Sequence, residues 1–303
     1  ETGKGRRMIE GIFSLELLFS ALRMSVPLVF ASLGGVYSER GGVVNIALEG
    51  IMLMGAFGAV VGTYFTNNPW IGLLVAMLFG LIIAFIHAVV SITFKINQII
   101  SGTALNMMAT GLTTFLSRLI FQAAGSSPHI EGMIQWQFPG TSFKISPLIV
   151  IMILAVILSQ IIIFKTRYGL RLRACGENPY AADSLGIDVI KIRYSGVIMS
   201  GILGGLGGAY LSLEHARVFV EGMTTGRGFI ALAGMIFGRW TPVGSFSACF
   251  LFGLAEALRM RLEGFGIPTQ FIQMIPYLVT MGVLIGVVGR AVAPAYDGIP
   301  FEK

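Results

Sequence analysis

Lys165–Arg193, KTRYGLRLRACGENPYAADSLGIDVIKIR, is the long polar interval that interrupts the second half of an otherwise mostly apolar chain. Lys165, Arg167, Arg171, Arg173, Lys191 and Arg193 crowd its two ends. Between them the spacing predicts one short helix over Gly176–Gly186. Asn178 can accept from the first free N–H groups, Pro179 suits the first helical position, and Gly186 can end the helix. A loop between two membrane spans that carries this much Lys and Arg stays on the cytoplasmic side, which orients every segment around it.

The apolar content around the loop decides the class. Hydrophobic residues fill 55% of the 303 positions and charged residues 12%, where a soluble domain carries roughly 25% charged. Each crossing takes about 20 apolar residues, so the expected fold is all-α and polytopic, with about 8–10 transmembrane helices in one membrane domain over 14–289. The net charge of +6 is no nucleic-acid signal, because six of the 21 Lys and Arg lie in this one loop and membrane topology accounts for that placement. Cys175 and Cys249, one in the loop and one in an apolar run, do not read as a disulfide pair. Residues 1–13 form an N-terminal segment. Its ETGKGRR lacks an apolar core with a cleavage site, and Met8 can serve as a native start, so 1–7 read as an expression remnant.

Outward from the loop, Ser146–Phe164 is the clearest span. Its dozen or so Leu, Ile, Val and Phe contribute about −6 kcal/mol towards insertion and outweigh Gln160. Trp70–Phe94 is a second span with His87 as its ionisable group, and Asn97–Phe121 a third, studded with small and amide side chains. The polar connection 122–145 is expected outside the cell. Tyr194–Leu213 carries Gly201, Gly204, Gly205 and Gly208 at the spacing that lets helix backbones approach closely. Residues 14–37 open the membrane domain, Thr269–Val288 closes it, and 290–303 form a polar tail.

Two places share one layout: ASLGGVYSERGGVVNIALEG (Ala31–Gly50) and ALAGMIFGRWTPVGSFSACF (Ala231–Phe250). Each reads as an apolar half-helix, an Arg, a Gly or Pro break, then a full helix. Gly41 and Gly42 each cost a helix about 1 kcal/mol relative to Ala, which predicts a discontinuous or re-entrant segment. Gly228–Gly238 is too short to cross. Such paired breaks in two halves of a transporter mark inverted repeats that meet near the substrate path.

Glu49 stands in an apolar run, where an ionised carboxylate costs about 2.5 to 3.5 kcal/mol or more. Two readings stand. Asn45 and Glu49, one helical turn apart, share a face that lines the path; or Asn45 caps the helix after the break and Glu49 sits near its positive start. Asn97, Gln98 and Asn106 are path candidates of the same kind, with hydrogen bonding between helices as the plainer use. His87 reads as a buried structural imidazole rather than a proton relay. His129 and His215 have no metal partner close in sequence, and no metal site is expected.

GGVVNIALEGIMLMGAF (Gly41–Phe57) and GLRLRACGENPYAADSLGI (Gly169–Ile187) resemble the permease subunits of bacterial ATP-binding cassette importers, in the branch that carries branched-chain amino acids, ribose and nucleosides. The form SERGGVVNIALEG is most similar to nucleoside importers served by a lipoprotein receptor, and the resemblance runs over nearly the whole chain from Met8. It implies a multi-pass subunit of the bacterial cytoplasmic membrane that works by alternating access. It also implies a second permease subunit, ATP-binding cassette ATPases and an extracytoplasmic substrate-binding lipoprotein as partners. For the helix in the polar loop it implies coupling to the ATPase, through the pattern of Arg173, Gly176, Asn178, Ala181, Ala182 and Gly186. Glu177 and Asp183 would meet basic groups of the ATPase, and Ala181 and Ala182 would allow close approach. No G-x-x-x-x-G-K-[ST] phosphate loop is present, so ATP and magnesium are expected in the partner ATPase; this chain is expected to bind no cofactor and to supply no catalytic residue. The competing classes are an ion-coupled carrier and, as other cargoes, a sugar or a branched-chain amino acid. An intramembrane enzyme lacks a nucleophile–base pair or an HExxH motif.

Overall fold

The structure, a computed structural model, describes residues 15–123, 125–137, 144–263 and 291–302, with a few positions between 270 and 282. Helix α1 is Leu15–Arg40 and α2 Leu48–Thr66. Helix α3, Pro69–Ala88, continues as a π-helical turn to Thr93, and α4 is Gln98–Phe121. A two-residue antiparallel ladder pairs Trp136–Gln137 with Lys144–Ile145. Then follow α5 (Pro147–Lys165), α6 (Arg167–Glu177) and α7 (Pro179–Ser184). Helix α8 is Val189–Tyr210, extended by a π-helical turn to Ala216, α9 is Arg227–Phe237 and α10 Pro242–Leu262.

Seven of the described helices are long and apolar enough to cross a bilayer, as a polytopic membrane protein requires. The expected segment 1–13 lies outside the described residues, as does most of the span Thr269–Val288. The seven sort into two layers. The apolar windows of α1, α2 and α8 are 67, 78 and 83% buried, whereas those of α3, α4, α5 and α10 are only 28 to 39% buried. Glycine explains the tight centre. A methyl group on Gly55 of α2 would lie 2.6 Å from the carbonyl of Gly205 on α8, and one on Gly80 of α3 would collide with Gly201. The small-residue face read in α8 is therefore what allows three backbones to meet where larger side chains would hold them apart.

The two ends of the bundle are distinct. At one end Tyr64, Phe121, Phe57 and Phe219 form a ring cluster. Arg261, at the end of α10, pairs with Glu16, near the start of α1, at 3.0 Å. At the other end the carbonyl of Arg40 lies against Gly176 of the basic loop; the basic residues assign this end, the cytoplasmic face, to the cytoplasm.

Three expectations need correction. The helix expected over Gly176–Gly186 is two helices, because Gly176 and Glu177 end α6 and Asn178 then restarts the chain as the cap of α7. Gly186 does end the second, at a φ of +77°. The two broken places are not matched half-helices. The arm before Gly41 is a full helix of 26 residues, whereas α9 has 11, about 16 Å or half the hydrocarbon thickness. Asn45 does not cap α2; Ala47 holds that position with no side-chain bond.

Candidate functional site

The chain leaves α1 at Arg40 and enters α2 at Leu48, and the residues between are buried or nearly so. Gly42 makes the turn at a φ of +86°, which a side chain would strain. Irregular backbone inside a membrane protein persists only where protein groups pair with its N–H and C=O. Side chains from α3 and α4 do so here. The N–H of Val44 donates to Gln98 Oε1 at 2.6 Å. The carbonyl of Val44 accepts from His87 Nε2 at 3.0 Å, and since a carbonyl can only accept, Nε2 carries a proton. His87 Nδ1 faces Ser101 Oγ at 3.0 Å. Asn106 closes the segment: its Nδ2 donates to the carbonyl of Ile46 at 2.9 Å and its Oδ1 accepts from the N–H of Gly50 at 2.7 Å.

Asn45 turns to α8 and donates to Ser200 Oγ at 2.7 Å. Glu49 reaches across to the half-helix: Oε1 accepts from the N–H of Gly226 at 2.8 Å and Oε2 from that of Gly228 at 2.7 Å. It thus sits at the positive end of α9, where a carboxylate is favoured, as well as in the first turn of α2. Asn97 caps α4 on the exposed rim, accepting from Ile99 and Ile100 at 2.9 and 3.3 Å. The five residues read as path candidates therefore bond to backbone groups or, for Asn45, to Ser200 of α8. The structural use of His87 is as expected. Ser200 and Ser101 were missed, because a serine in an apolar helix carries no pattern that names its partner.

At the cytoplasmic face, Asn178 accepts from the N–H of Ala181 at 3.0 Å, and Pro179 takes the first helical position. Gly176 and Ala182 turn inward, Gly176 against Arg40 and Ala182 into a cluster with Cys175, Val189 and Phe301. Arg173 is half-buried, its guanidinium 5.1 Å from the centre of the Phe164 ring. Burial pushes the Cys175 thiol up to about 11. Glu177, Ala181 and Gly186 face solvent, and Asp183 is half-buried. Beside them stand two residues the sequence reading passed over, Leu185 at 82% exposed and Tyr180 at 47%. A leucine flanked by Asp183, Ser184 and Gly186 was the available signal.

The model of the branched-chain amino acid transport system permease component family matches residues 17–288. The chain belongs to this permease family. It is 40% identical to the nucleoside ABC transporter permease protein NupC of Lactococcus lactis, covering 95% of this chain and 96% of that one. It is 41% identical to the guanosine ABC transporter permease protein NupQ of Bacillus subtilis, over 94% and 95%. With the putative glucose ABC transporter permease protein TsgC13 of Haloferax volcanii it shares 35% identity over 90% and 91%. The permease is thus a multi-pass protein of the cytoplasmic membrane, in keeping with the seven long apolar helices among the described residues.

Proposed function

We propose that this permease is one membrane-spanning subunit of an ATP-driven importer whose cargo is a nucleoside. The observation that carries the reading is the identity to the nucleoside and guanosine permeases over more than nine-tenths of each chain. The geometry of the cytoplasmic face supports it. The α7 turn presents Tyr180, Ala181 and Leu185 outward, an apolar knob on a rigid capped helix, the form that seats in a groove of a partner. The ATPase reads this outward side, with Glu177 and Asp183 beside it. Gly176 and Ala182 instead serve the chain's own packing, and Arg173, Asn178 and Gly186 shape the turn. ATP and magnesium bind to that ATPase, and this chain carries out translocation with no covalent step.

A second permease subunit covers α4, the least buried of the seven spans. The middle of its outward face carries Thr103, Met107, Thr110 and Gly111, with Ile99, Ile100, Phe115 and Leu119 towards the ends, a less uniformly apolar surface than the leucine- and isoleucine-rich faces of α3 and α5. The solute path runs along this face, behind the inward-turned amides of Gln98 and Asn106. An extracytoplasmic lipoprotein delivers the nucleoside to the opposite end, where Ile134 and Trp136 are exposed.

Uptake of labelled uridine, adenosine, ribose and glucose by cells with and without this gene tests the cargo. Loss of uridine or adenosine uptake alone is expected on deletion. Loss of glucose uptake instead would favour the sugar reading that the Haloferax volcanii relative supports.

A further inference from the structure

The tail that reads as a polar appendage is packed into the cytoplasmic face. Phe301 is 8% exposed and closes the cluster of Cys175, Ala182 and Val189. The Tyr180 ring meets those of Tyr296 and Phe301, with centroids 5.9 and 5.3 Å apart. The N–H of Tyr296 donates to the carbonyl of Gly176 at 2.9 Å, and Arg193 Nη1 donates to the carbonyl of Ile299 at 2.9 Å. The same segment touches the first break, since a methyl group on Gly42 would lie 3.2 Å from the carbonyl of Tyr296. The Asp297 carboxyl then faces that of Glu39, the last buried residue of α1. Glu39 Oε2 accepts from Trp240 Nε1 at 2.6 Å, and the neighbouring Arg40 donates to the Trp240 carbonyl at 2.8 Å. Residues 291–302 therefore contact the coupling helix and the first break, and reach the second break through one residue.

Chemistry at that residue is specific. Glu39 is 5% exposed, and a second carboxyl group facing a buried one disfavours charge on both together. Burial and the facing Glu39 hold the Asp297 carboxyl well above the usual carboxylate range, while the Arg193 guanidinium pulls it the other way. The α7 helix has six residues, and movement passes between packed elements that shift as a unit.

We infer that residues 291–302 are the strut that carries displacement of the coupling helix to both helix breaks, and that Glu39 and Asp297 meet at its joint across one shared proton. The inference rests on the coupling role given to α7 above. Its test uses the complete importer in proteoliposomes, with this permease, its second permease, the ATPase and the receptor, reading labelled uridine uptake and ATP hydrolysis together. A chain ending at Arg290 should assemble and hydrolyse ATP while uptake per ATP falls roughly tenfold or more. Asp297→Asn supplies an amide of the same shape as the neutral acid and should stay within about twofold of the unaltered importer, whereas Asp297→Ala should lose roughly fivefold or more. Alkylation of Cys175 follows the strut separately. It should quicken roughly tenfold in the shortened chain and in Phe301→Ala, because the thiol loses its cover.

Normal uptake per ATP in the shortened chain would overturn the strut. If that chain fails to insert, Phe301→Ala decides: normal coupling with rapid Cys175 alkylation overturns the strut, and impaired coupling supports it. A loss in Asp297→Asn as large as that in Asp297→Ala would overturn the shared proton. Uptake by the unaltered importer without ATP hydrolysis would instead defeat the coupling reading itself, and the strut with it.

Discussion

Beyond the local turn at Ser38–Val43, the break after α1 is held by side chains of α3 and α4; the break after α9 pairs its N–H groups within its own turn, and only its Arg239 and Trp240 carbonyls accept from afar, from Arg40. Across Val43–Gly50, Gln98, His87 and Asn106 serve Val44, Ile46 and Gly50 from 43 to 60 positions away. Across Gly238–Thr241, Gly238 donates to Gly234, Trp240 to Met235 and Thr241 to Gly238, and Thr241 Oγ1 accepts from Gly244 at 3.2 Å. Position accounts for the difference. The first break runs through the protein interior, where an unpaired backbone group has no water to turn to. The second lies at the cytoplasmic rim, where Arg239 is exposed. Glu49 joins the two arms by capping α9 from α2.

The comparison is most exposed at Asn106. Asn106→Leu strands the Ile46 carbonyl and the Gly50 N–H in the interior, and at about 1 to 3 kcal/mol for each group the protein should lose about 2 to 6 kcal/mol, read as a lower midpoint of thermal unfolding in detergent. An unshifted midpoint would mean that the interior break needs no outside partner. Glu49→Gln offers one acceptor oxygen where two N–H groups wait, so unfolding of that variant should show a loss of about 1 to 3 kcal/mol. A change no larger than that from an exposed glutamate would separate the two arms energetically.

Thr241→Ala removes a cap made within the chain's own turn and should cost only about 1 kcal/mol. If calorimetry put it level with Asn106→Leu, the distinction between local and distant support would fail. The smallest effect is expected at Arg239, whose φ of +54° is strained for any residue but glycine. Arg239→Gly should be neutral or stabilise by up to about 1 kcal/mol. A marked loss of stability there would show that the side chain holds the rim.

Local bonds were legible in the sequence and distant ones were not. Asn178 could be assigned to its helix because a cap reaches three residues along the chain, and the N–H it serves is fixed once the helix starts. Leu185 could have been noticed as a leucine among polar neighbours. Gln98 and Asn106 were recognised as amides inside a span, but their partners belong to a segment some fifty residues earlier, and no spacing along α4 points there. Asp297 was less legible still, because an acid in a polar tail looks solvated until the tail is seen folded under α7.

Composition and charge alone lead to a chain that crosses a membrane many times, to the expectation that Lys165–Arg193 faces the cytoplasm, and to a break at Gly41–Gly42. Those conclusions depend on transfer of single residues between water and lipid and on the backbone freedom of glycine, which are properties of the residue itself. Tertiary structure decided which helices lie at the centre, which amides hold the interior break, that Glu49 caps a helix far along the chain, and that the tail packs against α7. Each of those is a pairing between groups distant in sequence. The energy of a pairing depends on where the fold brings its partner, and no residue carries that information alone.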